Sequence, residues 1–320
     1  MHTLKKATVA VLTVAALISA QQAFAKTVKV TMTAKEVDVA VNGKMVGGAD
    51  TMAAWTFDGS IPGKPVRVDE GDTVDFTLVN PAENKNSHAM DFHAAQVNVL
   101  DEFAEVKPGQ SKHFTFEAKV PGVFMYHCGA GPMVQHIARG MYGMIIVEPK
   151  DKKNYPKADR EYVLIQQQYF PDVENYGAML NDANAWKGSL VNGKVLHYDP
   201  VHDPKGDHDV LEAKPGERVR IYYGNANVNL PVALHPIASI WDRVYINGNP
   251  KNQLVGIQTY NMAVAEAGTF DLVTPKDKEV AGIAIVDHAM NAALRGAITV
   301  LVSKKDANPN KGKGEMIILK

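Results

Sequence analysis

The sequence predicts an all-β fold of two tandem sandwiches, and three observations carry that prediction. Short runs in which apolar and polar residues alternate recur along the chain, separated by Gly, Pro, Asp and Asn turns. Long segments with a 3.6-residue apolar period are scarce. Stretches lying about 150 residues apart resemble one another, the mark of a duplicated unit.

Taken in order, the chain opens with "MHTLKKATVAVLTVAALISAQQAFA". Lys5 and Lys6 give a charged start, residues 7–18 an apolar run, and Ala23-Phe24-Ala25 a small-x-small cleavage site. Residues 1–25 therefore read as a signal peptide cleaved near Ala25, exporting the remainder to the periplasm. The apolar run is shorter than the ~18 residues a membrane span needs, and no later stretch reaches that length. Residues 26–150 read as the first domain. Within it "TVKVTMT" (27–33), "VRVDEGDTVDFTLVN" (66–80), "KHFTFEA" (112–118), "GVFMYH" (122–127) and "GMIIVEP" (143–149) alternate as strands do. The charged, twice-prolined "EPKDKKNYPKADRE" (148–161) marks a seam. Residues 151–305 read as the second domain: "LEAKPGERVRIYYGN" (211–225) resembles 66–80, "AGIAIVDHA" (281–289) resembles 121–128, and "GAITVLV" (296–302) resembles 143–149. Short helices are expected within "PMVQHIARGM" and "HAMNAALRG". Residues 306–320 form a tail, polar and then apolar, whose last five residues are expected to pack onto the body.

Removing Lys5 and Lys6 takes the formal charge from −1 to −3, so neither nucleic acid nor an anionic membrane is suggested as a partner. The remaining residues suit two domains of ordinary size. Cys128 is the only cysteine and cannot form an internal disulfide. Taken alone, it would be an inert core thiol. Its neighbours argue otherwise. "YHCGAGPMVQHIARGM" (126–141) gathers His127, Cys128, His136 and Met141, and "SHAMDFHA" (87–94) supplies His88, Asp91 and His93.

Alternation along a strand sorts these residues. His88 and Met90 share one face; Asp91 and His93 share the other. His127 and Cys128 likewise point oppositely, so the pair can join two metal sites. His88, Cys128, His136 and Met141 make two imidazoles, a thiolate and a weak thioether, the donor set of an electron-transfer copper centre. Structural zinc usually takes several cysteines, and one is present. His93, His127 and a third histidine, His288, would leave one position open for water or substrate, as a catalytic metal requires. His235, in "ALHPIASIWD" (233–242), is a further candidate. His113, His197, His202 and His208 sit in charged or turn-like surroundings and read as surface residues.

At these residues the chain closely resembles the copper-containing nitrite reductases. The likeness runs from "AAWTFDGSIPGKPVRVDEGDTV" (53–74) to the end of the second domain and is strongest at 87–94 and 126–143. It implies two cupredoxin-like Greek-key β-sandwich domains per chain and a homotrimer. It further implies type 1 copper on His88, Cys128, His136 and Met141, and type 2 copper on His93, His127 and His288, the last reaching into a neighbouring subunit's site. By the same likeness Asp91 and His235 are the catalytic acid pair, and Ile237 roofs the substrate pocket. The reaction implied is one-electron reduction of nitrite to nitric oxide and water. A periplasmic donor, a small cupredoxin or a c-type cytochrome, supplies the electron, which passes through Cys128 and His127. Two rivals are a two-domain multicopper oxidase and a non-enzymatic blue copper carrier. The oxidase would need about eight histidines, usually as His-x-His pairs, and the chain has no such pair. The carrier would leave Asp91, His93, His127 and His288 without a role.

Overall fold

A computed structural model describes residues 25–313 except 103 and 207. The expected signal peptide (through residue 24) and the last residues of the tail lie outside the described residues. The strands of the first half are β1 (Thr27–Ala40), β2 (Thr51–Phe57), β3 (Val66–Asp69), β4 (Thr73–Asn80), β5 (Asp91–Phe92), β6 (Gln110–Glu117), β7 (Gly122–His127) and β8 (Tyr142–Glu148). Those of the second half are β9 (Arg160–Tyr169), β10 (Gly188–Val191), β11 (Lys194–Val195), β12 (Leu211–Ala213), β13 (Arg218–Asn225) and β14 (Val232–Ile237). They continue with β15 (Trp241–Tyr245), β16 (Gln253–Ile257), β17 (Tyr260–Met262), β18 (Ala267–Val273), β19 (Val280–Asp287) and β20 (Ile298–Ser303). Among the described residues, four α-helices of one or two turns interrupt them: α1 (Val99–Glu102), α2 (Met133–Ala138), α3 (Tyr176–Asn181) and α4 (Met290–Ala293).

The first half forms two four-stranded sheets, β2-β1-β4-β6 and β3-β8-β7-β5. In β1, Val28, Val30, Met32 and Ala34 point inward, and in β4 Val74, Phe76 and Leu78 do the same. Facing them are Val66, Val68, Phe92, Tyr126, Ile145 and Val147, and the two faces close one core. Each such side chain fully removed from water contributes about 1.5–3 kcal/mol. β8 departs from alternation: six consecutive residues, Tyr142 to Val147, are buried. The cause is that Met144 and Ile146 pack with Met125, Val163, Ile165 and Tyr222 against the second half. A strand covered on both faces reads as a continuous apolar run.

The second half repeats the connectivity in sheets β11-β10-β9-β13-β18-β15-β16 and β12-β20-β19-β14-β17. Parallel β1–β4 corresponds to parallel β9–β13, β3–β8 to β12–β20, and antiparallel β7–β8 to β19–β20. Trp241, Phe270, Ile221, Leu234 and Ile285 lie at its core. The expected short helices at 132–141 and 288–296 are α2 and α4. The strand expected over 87–94 is only β5, because His88 pairs instead with Val106 in an isolated bridge. No helix among the described residues is long and apolar enough to cross a membrane.

Candidate metal centres

β5 and the end of β7 run antiparallel, Asp91 opposite His127. Beyond β7 the chain turns through the loop that carries α2 and returns as β8. Cys128 N–H donates to the Met141 carbonyl at 3.0 Å, and Met141 N–H to the His136 carbonyl at 3.1 Å. The loop's two ends are thereby drawn together. Gly140 holds φ +109°, and a Cβ there would lie 2.5 Å from the Ile61 side chain, so glycine permits this closure.

Two clusters of ligand atoms result. In the first, His88, Cys128 and His136 are all buried, and their donor atoms lie within 4.8 Å of one another. Cys128 Sγ is 3.2 Å from His136 Nδ1, and the two Nδ1 atoms of His88 and His136 are 3.4 Å apart. Ala89 N–H donates to the sulfur at 3.2 Å. Met141, fully buried, shares the core cluster of Cys128. Burial pushes the Cys128 thiol up to about 12, and burial with the neighbouring His88 takes His136 down to about 4. Burial also lowers His88, against the pull of Glu36. Neutral imidazoles facing one thiol are ready to coordinate; a bound cation would supply the charge that makes the thiol a thiolate. His88 Nε2, on the ring's far edge, is buried without a hydrogen-bond partner.

In the second cluster, Asp91, His93 and His127 converge. The Nε2 atoms of His93 and His127 are 3.0 Å apart. Asp91 Oδ2 lies 3.8 Å from the first and 3.6 Å from the second. Burial, then the adjoining His127, lowers His93. His127 Nδ1 sits 3.0 Å from the Cys128 carbonyl, which orients the ring outward from the first cluster. His127 and Cys128 thus belong to different clusters although they are joined by one peptide bond.

Neither group contains His288. It lies beside His235, ring centroids 5.2 Å apart, where β19 meets β14. His235 Nδ1 lies 2.7 Å from the Gln258 carbonyl and 3.2 Å from Thr259 Oγ1. Ile237 is 45% exposed on the same strand, and Ile240, Met290 and Leu294 nearby are exposed as well. His113 and His202 are largely exposed and pair with Asp75 and Asp199.

Sequence reasoning missed the covering of the first cluster. Trp55 of β2 packs against His136 with centroids 4.5 Å apart and against His88 at 5.7 Å. Arg139 lies over the indole at 4.5 Å, donates to the Ala53 carbonyl and pairs with Glu174. No sequence spacing links residues 55, 139 and 174; only the fold brings them together.

A duplicated cupredoxin-like sandwich whose buried Cys-His-His cluster adjoins a second histidine cluster defines a class of copper oxidoreductases. Residues 28–152 match the multicopper oxidase family model. A copper-containing nitrite reductase of Neisseria meningitidis serogroup A is 33% identical over 257 residues, covering 80% of this chain and 65% of the relative. The chain thus spans about 65% of the length of that relative. A solved copper nitrite reductase from Nitrosomonas europaea is 53% identical with a TM-score of 0.85, covering 92% of this chain and all of that one. A copper-containing nitrite reductase from Thermus scotoductus is 29% identical with a TM-score of 0.74, over 89% of this chain and 63% of that one. The chain belongs to the family of copper-containing nitrite reductases.

Proposed function

We propose that this protein reduces nitrite by one electron to nitric oxide and water in the periplasm, using two coppers per chain. The observation that carries this reading is the pair His127–Cys128, adjacent in sequence and facing two different donor clusters. His88, Cys128, His136 and Met141 would hold the type 1 copper that receives the electron. His93 and His127, with His288 of a neighbouring subunit, would hold the type 2 copper. Bound copper supplies one-electron redox chemistry and Lewis acidity toward nitrite.

The chain's own groups do the rest. Cys128 and His127 give the electron a short covalent path between the clusters. Converting nitrite to nitric oxide and water takes up one electron and two protons, one N–O bond breaking. Asp91, with Oδ2 directed at the two imidazoles, can hold a proton beside the leaving oxygen. His235 of the neighbouring subunit, beside that subunit's His288, can carry the second, and its Ile237 walls the pocket. The exposed apolar residues around His235 and His288 support burial of that edge against another subunit, and a closed head-to-tail ring, here a homotrimer, would repeat the site at each interface. The partner in electron supply would be a small cupredoxin or a c-type cytochrome.

The test is to measure copper content and products together. Two coppers per chain with nitric oxide formed from nitrite supports the reading. Four coppers with dioxygen reduction would favour the oxidase, and one copper without nitrite turnover the carrier.

A further inference from the structure

His88 uses one edge of its ring to face His136 and Cys128. Its other edge meets a carboxylate. Glu36 Oε1 lies 3.4 Å from His88 Nε2, and the His88 side chain is wholly buried. The carboxylate is fixed before the imidazole reaches it. Oε1 accepts the backbone N–H groups of Lys85 at 3.0 Å and Asn86 at 2.8 Å, and the Asn86 side-chain amide at 3.1 Å. Glu36 therefore ties β1 to the segment that leads into His88.

The chemistry of the ring then leaves one solution. Once Nδ1 binds a cation, the imidazole carries its only proton on Nε2. A buried N–H without an acceptor is costly, and among the described residues no hydrogen bond is formed at this atom. Glu36 is the acid in reach. The other imidazole is placed differently: the Gly131 backbone is the hydrogen-bonding influence on His136, and Glu36 acts on it through charge alone. One ligand would thus be backed by a charge and the other by an amide.

We propose that Glu36 is a positioning residue of the type 1 centre. It accepts the Nε2 proton of His88, aims Nδ1 at the metal, and sets a negative charge one imidazole away, which favours the oxidised ion. The proposal rests on His88 being a copper ligand. Glu36→Gln preserves size and removes charge. Its fold is checked by the melting temperature of the copper-free protein, and copper binding by titration and visible absorption. The expected result is a coloured variant whose cupric ion binds about 10–100-fold more weakly. Its electron equilibrium with a fixed redox partner should shift about 10-fold toward the reduced form. Glu36→Asp, keeping the charge, should recover part of both. If Glu36 serves only to anchor residues 84–86, Glu36→Gln will lower the copper-free melting temperature and leave potential and cupric affinity unchanged, which overturns the proposal. If His88→Ala leaves the visible band of the wild type intact, the ligand reading itself fails, and the proposal with it.

Discussion

The ends of β7 and β19 occupy equivalent places in the two halves, and they differ in one respect. β7 ends in His127-Cys128, and each side chain enters a separate cluster of ligand atoms. β19 ends in Asp287-His288. There the inward residue, Asp287, is a carboxylate that accepts the N–H groups of Ala233 and Ala289 and the amide of Gln166. Both its oxygens are engaged in holding the strand end together, while His288 is exposed beside His235. The same topology therefore gives one end that keeps unmet donors in a buried pocket and one that spends them on structure. Ligand capacity follows from which buried polar groups the fold leaves unsatisfied.

That contrast can be broken residue by residue. The largest effect is expected from Cys128→Ala. It removes the only thiol, so visible absorption should vanish and donor-driven nitrite reduction fall to background, with the type 2 copper retained by metal analysis. A variant that keeps its colour would contradict the first cluster. Asp91→Asn should keep both coppers and lower nitrite turnover by roughly 10²–10⁴-fold, the worth of a positioned acid. Near-normal turnover at full copper occupancy would exclude Asp91 from proton delivery.

At the other end, Asp287→Ala should leave the colour untouched but orphan three donors, the buried Gln166 amide and the half-buried N–H groups of Ala233 and Ala289. The expected loss is about 2–4 kcal/mol of stability, read by denaturant unfolding of the copper-free protein. The smallest effect concerns Glu102, a carboxylate on the Asp91 side that has no counterpart to the Asp287 network. Its Oε1 has no hydrogen-bond partner, and burial together with the Asp91 charge pushes it up from 4.5 to about 7. A carboxyl raised in the folded state stabilises below its unfolded value, and that contribution is lost as pH rises through the folded one. The melting temperature should therefore fall between about pH 4.5 and 7, and Glu102→Gln should flatten that part of the profile. Parallel profiles would mean that Glu102 titrates normally.

Much of this was legible in the sequence because its cause is local. The alternating segments at 27–33, 66–80, 112–118, 122–127 and 143–149 lie in β1, β3 with β4, β6, β7 and β8. Period-2 alternation also sorted His127 from Cys128, and Asp91 and His93 from His88, even though β5 is only two residues long. His88 took the right side for a reason sequence did not give, its bridge to Val106. Trp55 and Glu36 were invisible beside the first cluster because they come from β2 and β1, distant in sequence, and Arg139, though inside the ligand loop, gives no sign in sequence that it lies over Trp55. The buried run of β8 read as an ordinary strand, since the surface covering its second face belongs to the other half. His288 was expected at the second cluster from its place in the repeat, and its own chain sets it beside His235, apart from His93 and His127.

The separation of those histidines within one chain leads to the central claim, that each catalytic site is assembled from the β7 end of one subunit and the β19 end of the next. Asp91→Asn and His288→Ala each inactivate a different half of such a site. Mixed under conditions in which subunits exchange, they should place an intact Asp91 opposite an intact His288 at about a quarter of interfaces. Nitrite reduction, lost or strongly lowered in either variant alone, should then return in part. Proven exchange without any recovery, or a native mass of a single chain, would contradict the account.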